Sequence, residues 1–135
     1  MTTPSDRDEI VELTHRYASA IDDRQYARLT EVFTDDADID YGEVGHWTGA
    51  AEVTQFMEAV HAGAAHTMHR MTNQVIAVDG DKATVRTYVD ALILAADGSG
   101  ANPVGYYDDV AVRTAAGWRI ARRSYTSVRL VAVGN

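Results

Sequence analysis

The sequence predicts an α+β fold, helices first and a strongly curved antiparallel sheet second, and three observations predict it. Apolar residues recur at helical spacing only in the N-terminal half, where Ile10, Leu13, Tyr17 and Ile21 make one stripe. From His66 onward the period changes to two. Three turn signals, Asp79-Gly80-Asp81, Asp97-Gly98-Ser99-Gly100 and Ala115-Ala116-Gly117, divide that second half into four long strands. Short turns make them antiparallel neighbours. Three N-terminal helices packed on the concave face of such a sheet make a cone.

Each element follows from local chemistry. Ser5 with Asp8 three residues on has the capping-box pattern, and Asp6, Asp8 and Glu9 suit the positive end of a first helix reaching about Ala20. A shorter helix fits residues 25–33, with Tyr26, Leu29 and Phe33 on one side. Residues 34–36 break it, 37–41 read as a short strand, and 42–49 as a loop carrying the apolar Trp47. A third helix is expected over 50–62, with Val53, Phe56, Met57 and Val60 inward. The long strands are expected at 66–78, 82–96, 104–114 and 118–131. Strands this long exceed the usual five or six residues, so the sheet should curl and carry bulges.

At 135 residues the chain is expected to be one domain with a core that needs no staples. It contains no cysteine, which excludes disulfides, thiolate zinc sites and cysteine nucleophiles. A net charge of −8 argues against nucleic acid as a partner. Arg113, Arg119, Arg122, Arg123 and Arg129 concentrate late but fall on both faces of strands, as a solvated sheet requires. No apolar run of about 18 residues is present, so no membrane partner is expected. Residues 1–9 lack the basic and apolar regions of a signal peptide, and the expectation is a soluble cytoplasmic protein.

The residues that carry chemistry are Asp22, just past the first helix, and His69, in an alternating strand 47 positions later. A carboxylate that orients an imidazole makes a general base near neutral pH. The bland alternatives are a helix cap for Asp22 and a satisfied core position for His69. His69 alternates in register with Met71 and Asn73, which puts the three on one face. Tyr17 is either core or a hydrogen-bond donor to a ligand oxygen. Tyr88 and Asp90 share one strand face, as do Tyr107 and Asp109. Asp90 is therefore inward and functional or outward and solvated, while Asp109 should pair with a strand arginine. Arg122 is expected to hold a carboxylate within the sheet, and Tyr41 and Trp47 to line a pocket mouth. His15, His46, His61 and His66 read as surface or loop residues, and His66 with His69 lacks the spacing of a metal site.

Five local patterns, in this order and spacing, carry a resemblance over nearly the whole chain: Tyr17-Ala-Ser-Ala-Ile-Asp22-Asp-Arg-Gln, Val32-Phe-Thr-Asp-Asp-Ala37, His69-Arg-Met-Thr-Asn73, Gly105-Tyr-Tyr-Asp-Asp109 and Gly117-Trp-Arg-Ile-Ala-Arg122. The chain resembles the NTF2-like superfamily and, more narrowly, the SnoaL-like branch with scytalone dehydratase, the bile-acid 7α-dehydratases and hexachlorocyclohexane dehydrochlorinase. The resemblance implies that Asp22 orients His69 at the base of a deep apolar pocket. It implies a cofactor-independent lyase, with no metal, acting on a small apolar polycyclic or polyketide-like substrate. An isomerase or cyclase, or a module that binds a small ligand without catalysis, are the alternatives on this scaffold. Tyr17 matches the tyrosine of the bile-acid enzymes, where the dehydrochlorinase has a lysine. Scytalone dehydratase has a second histidine on the following strand; this chain has none there, which leaves Asp90, Tyr17 or Tyr107 as the second acid–base group. Asn73, Tyr88, Asp90 and Tyr107, with Tyr41 and Trp47, are the expected substrate contacts. A homodimer or homotrimer is likewise expected by resemblance.

Overall fold

The computed structural model describes residues 4–134; the first three residues of the stretch read as leaderless lie outside them. Helix α1 (Asp6–Asp22) begins at the expected capping box: Ser5 Oγ accepts from the Asp8 amide at 3.1 Å, and the Asp8 carboxylate accepts from the Ser5 amide at 3.3 Å. The helix runs two residues beyond the expected end, so Asp22 is its last residue rather than its successor. Arg24, at φ +58°, then turns the chain out, and the Gln25 amide donates back to the Ala20 carbonyl. The stripe Ile10, Leu13, Tyr17 and Ile21 is fully buried.

The second helix is shorter than its sequence spacing suggests, a 3-10 segment over Tyr26–Glu31. The cause is tertiary. Phe33 is already in strand β1 (Phe33–Asp40), and Val32 accepts a bond from the Ile120 amide, which takes the last residues out of any helix. A one-turn 3-10 segment (Gly42–Val44) leads to strand β2 (His46–Thr48), so Trp47 belongs to a short strand and not a loop. Helix α2 (Gly49–His61) follows. The four long strands are β3 (His66–Asp79), β4 (Lys82–Leu94), β5 (Gly100–Thr114) and β6 (Gly117–Val133).

These make one six-stranded sheet of order β2-β1-β6-β5-β4-β3, antiparallel except where β1 lies parallel to β6. Register breaks occur in β3 between Thr72 and Val75, and in β5–β6 at Val104/Gly105 and Val110/Ala111. These bulges curl the long strands around α1 and α2. Gly105 sits at one of them, where a Cβ would meet the Thr126 carbonyl oxygen at 2.1 Å, so only glycine allows β5 and β6 to approach there.

The core fills the space between α1, α2 and the concave face, from Ile10 and Leu13 to Ala111, Trp118 and Ile120. One inward position on β4 is imperfect: the Thr87 hydroxyl is buried without a hydrogen-bond partner among the described residues. An unpaired buried hydroxyl costs folding energy, so Thr87→Val should leave stability unchanged or raise it by about 1 kcal/mol. Thermal unfolding of the two proteins checks this.

Candidate active site

The end of α1 is bound to the start of β3, and this brings the two sequence-distant residues together. The Arg24 guanidinium donates to the carbonyls of Ala64 at 2.6 Å and Ala65 at 3.0 Å, clamping the α2–β3 connection against the helix end. The Asp22 carboxylate then accepts three bonds from β3: the Thr67 hydroxyl at 3.0 Å, the His69 amide at 2.7 Å and His69 Nδ1 at 2.8 Å. A carboxylate at a helix C-terminus is disfavoured by about 0.3–1 kcal/mol, and these bonds offset that cost. Burial pushes the Asp22 carboxyl up, but the bonds from His69 and Thr67 outweigh it and hold the group below its ordinary value. Asp22 is thus an anion that only accepts, so the bonded Nδ1 of His69 carries a hydrogen, and the neutral tautomer this bond selects has its lone pair at Nε2. The His69 side chain is 7% exposed and that of Asp22 21%.

His69 borders a cavity of about 210 Å³ between α2, the 42–44 turn and the concave sheet. Its wall is largely apolar, with Phe56, Met57, Val89, Ala91 and Ile93 among the lining residues. The polar atoms are few. Tyr17 and Tyr41 line it, their hydroxyls 2.8 Å apart, and burial holds the Tyr17 phenol well above its ordinary value and therefore protonated. Tyr107 and Tyr125 complete the aromatic side, with ring centroids 5.2 Å apart.

Beneath these phenols lies a buried ion pair. Arg123 donates to both oxygens of Asp109 at 2.8 and 2.9 Å, and neither side chain is exposed. The guanidinium carbon sits 3.9 Å from the Tyr107 ring centroid and 4.4 Å from that of Tyr17, and Nη1 approaches the Tyr41 hydroxyl at 3.5 Å. Asp109 pairs with a strand arginine as expected; the arginine that holds a carboxylate within the sheet is Arg123, while Arg122, expected in that role, is exposed. The bulge at Val110/Ala111 adds one residue to β6 after Ile120, and a one-residue slip moves every later side chain to the other face.

Of the expected contacts, Tyr17, Tyr41, His69 and Tyr107 border the cavity. Trp47 stands behind its wall, packed on Tyr41 and Phe56 at centroid distances of 5.4 and 4.2 Å. Asn73, Tyr88 and Asp90 do not reach it. Asn73 is the bulged residue of β3, at φ +54°, which removes it from the face of His69 and Met71. Tyr88 and Asp90 point outward: Tyr88 is 46% exposed, and Asp90 pairs with Arg70 at 3.2 Å. Asp90 is thereby removed as a second acid–base group of the cavity.

His61, read as a surface residue, is buried and lines the cavity. Its position was legible, since it falls four residues after Met57 and eight after Val53 on the inward stripe of α2. Burial lowers its proton affinity below the ordinary 6.5, opposed by the bond from its Nδ1 to the Met57 carbonyl. The unfolded chain therefore binds a proton at His61 before the folded one does, and stability falls as pH drops through 6.5. Asp22 acts separately and lower: its depressed value stabilises above 3.8, and that contribution is lost as pH falls below it. Between about pH 7.5 and about pH 5.5 the wild type should lose melting temperature relative to His61→Phe; His46, held above its ordinary value by its bond to Asp38, acts in the opposite sense in both proteins.

Among the described residues no three His, Asp or Glu side chains gather as metal ligands, and no helix is long and apolar enough to cross a membrane.

A cone of helices on a curled sheet, with an imidazole–carboxylate pair at the edge of an apolar cavity, defines a class of small-molecule proteins built on one α+β scaffold. The chain belongs to the SnoaL-like domain family, whose model matches residues 2–124. It is 39% identical over 125 residues to the uncharacterised protein Rv2910c of Mycobacterium tuberculosis, covering 90% of this chain and 85% of that one. A provisionally named aromatic ring hydroxylase from Novosphingobium aromaticivorans is 30% identical, with a TM-score of 0.87 over 97% of this chain and 96% of that one. A hexachlorocyclohexane dehydrochlorinase from Novosphingobium barchaimii LL02 shares the fold at a TM-score of 0.84 and 19% identity, over 96% and 90% of the two chains.

Proposed function

We propose that the protein is a lyase of the dehydratase type that needs no cofactor, acting on a small, largely apolar polycyclic or polyketide-like substrate. The observation that carries this reading is the Asp22–His69 bond at an apolar cavity, which puts a hydrogen on Nδ1 and makes Nε2 the basic nitrogen of the neutral ring. A cavity of about 150 Å³ admits benzene, so 210 Å³ suits one or two fused rings better than a steroid nucleus. His69 Nε2 removes a proton from the carbon beside a carbonyl, and Asp22 stabilises the imidazolium that forms. The electrons move onto the carbonyl oxygen, which accepts a hydrogen bond from the Tyr17–Tyr41 pair. On collapse of the enolate the hydroxyl on the next carbon departs, taking the proton back from His69 and leaving as water. Arg123, against the Tyr41 hydroxyl, favours the oxyanion electrostatically without touching it.

The test is product mass after incubation, in deuterium oxide, with β-hydroxy ketones on one- and two-ring frames. The expected product is lighter by one water. Deuterium uptake at unchanged skeleton and composition would replace elimination with isomerisation. Binding with neither outcome would make the domain a ligand carrier. The exposed apolar side chains Met68, Tyr88, Val128 and Leu130 support the further expectation of a homodimer or homotrimer, readable by light scattering.

A further inference from the structure

His61 is a buried imidazole that the acid–base scheme leaves without a task. It is 5% exposed, on the last turn of α2, and it lines the same cavity as His69. Nδ1 lies 2.8 Å from the Met57 carbonyl oxygen, which only accepts, so Nδ1 carries the hydrogen. Burial keeps the ring neutral at pH 7. The other nitrogen, Nε2, is then a hydrogen-bond acceptor with no protein partner among the described residues. The ring is held by the backbone bond and by Tyr26, which stacks on it at 6.2 Å and 25°. The His69 ring stands edge-on, 6.1 Å away between centroids.

A leucine or phenylalanine would fill the same space without an acceptor to satisfy. A fixed acceptor in a largely apolar wall, apart from the tyrosine hydroxyls and His69, selects ligands that bring a donor to it. The donor is uncharged, because no carboxylate lines the cavity, and a cation against its largely apolar wall would lack a countercharge in contact. We propose that His61 Nε2 is a specificity subsite that accepts a hydrogen bond from an alcohol or phenol O–H of the substrate, held beside the carbon that His69 deprotonates. The proposal rests on the cavity being the substrate site, and it narrows the substrate to hydroxylated one- or two-ring compounds.

β-Naphthol and its methyl ether share a two-ring body and differ in the O–H alone, so fluorescence titration with the pair tests it. Wild type is expected to prefer the naphthol by about three- to tenfold, the range one neutral hydrogen bond supplies. His61→Phe should lose that preference by weakening naphthol only, its binding of the ether reporting an intact cavity. His69→Ala should keep the preference, which separates this subsite from the acid–base reading: loss of turnover with preference intact leaves the subsite standing. A nitrogen-15 measurement on the wild type needs no variant. The His61 Nε2 resonance should move with naphthol and not with the ether. No preference in wild type, no binding of either probe, a preference that survives in His61→Phe, equal loss of both probes in that variant, or an unmoved Nε2 resonance would each overturn the proposal.

Discussion

Replacing Arg123 with methionine is expected to cost about 3–5 kcal/mol of folding stability, the usual consequence of stripping one partner from a buried ion pair. The Asp109 carboxylate would be left with no countercharge in a site from which both side chains are excluded from solvent. Burial already holds Asp109 above its ordinary 3.8. Without the guanidinium it rises further, and the fold must keep the carboxyl protonated. The sign of the pH dependence follows: the variant's deficit is largest near neutrality and shrinks as pH falls toward about 4, where the unfolded chain also begins to protonate. Asp109→Leu combined with Arg123→Met should recover much of the loss, because no charge then remains unpaired. Urea unfolding of the single and double variants at two pH values reads all three outcomes, with an unchanged slope as the sign of an intact two-state transition. A single variant as stable as wild type would remove the ion pair from the account of the core.

Removing the imidazole of His69 is expected to lower turnover by about 10²–10⁴-fold, the contribution of a positioned general base. Stability should fall by about 1–3 kcal/mol, since the ring's bond to Asp22 is lost, but the bond from the His69 backbone amide survives and the variant should still fold. Asp22→Asn should be comparably severe for a different reason. An asparagine offers one oxygen and one NH₂ where the carboxylate offers two acceptors to three donors. One of the His69 N–H groups then faces another donor, and the ring is relieved by moving its hydrogen to Nε2, where it no longer acts as a base. Because the two residues form one unit, Asp22→Asn with His69→Ala should be no slower than His69→Ala alone. Turnover on the substrate found by product mass is the measurement, and near-wild-type rates in His69→Ala would sink the assigned role.

Local signals in the chain were enough for the element types and their order. Ser5 and Asp8 capped α1, the apolar stripe gave its inward face, and the three turns set four antiparallel strands. Where inference from sequence failed, it failed at bulges and at the ends of elements. Counting alternate residues along β6 leads to Arg122, and along β3 to Asn73; β6 carries one extra residue before the count arrives, and in β3 Asn73 is itself the extra residue. A bulge has almost no sequence signature, yet it inverts every position beyond it. The short helix at 25–33 lost its last turn to β1, because pairing with β6 competes for the same backbone groups. His61 was misjudged for another reason: its spacing marked it as inward, but histidine at the end of a helix is commonly solvated.

By itself the sequence determined a helical half and a stranded half, a core stripe on α1, and a carboxylate and an imidazole in positions where they could meet. Periodicity, caps and turns are short-range effects, and neighbouring residues specify them. Only the tertiary structure decided which arginine lies under the phenols, which face Asp90 takes, and that a second imidazole enters the cavity. Those outcomes depend on register between strands distant in the chain, where one inserted residue reverses inside and outside, and no local rule reads that count.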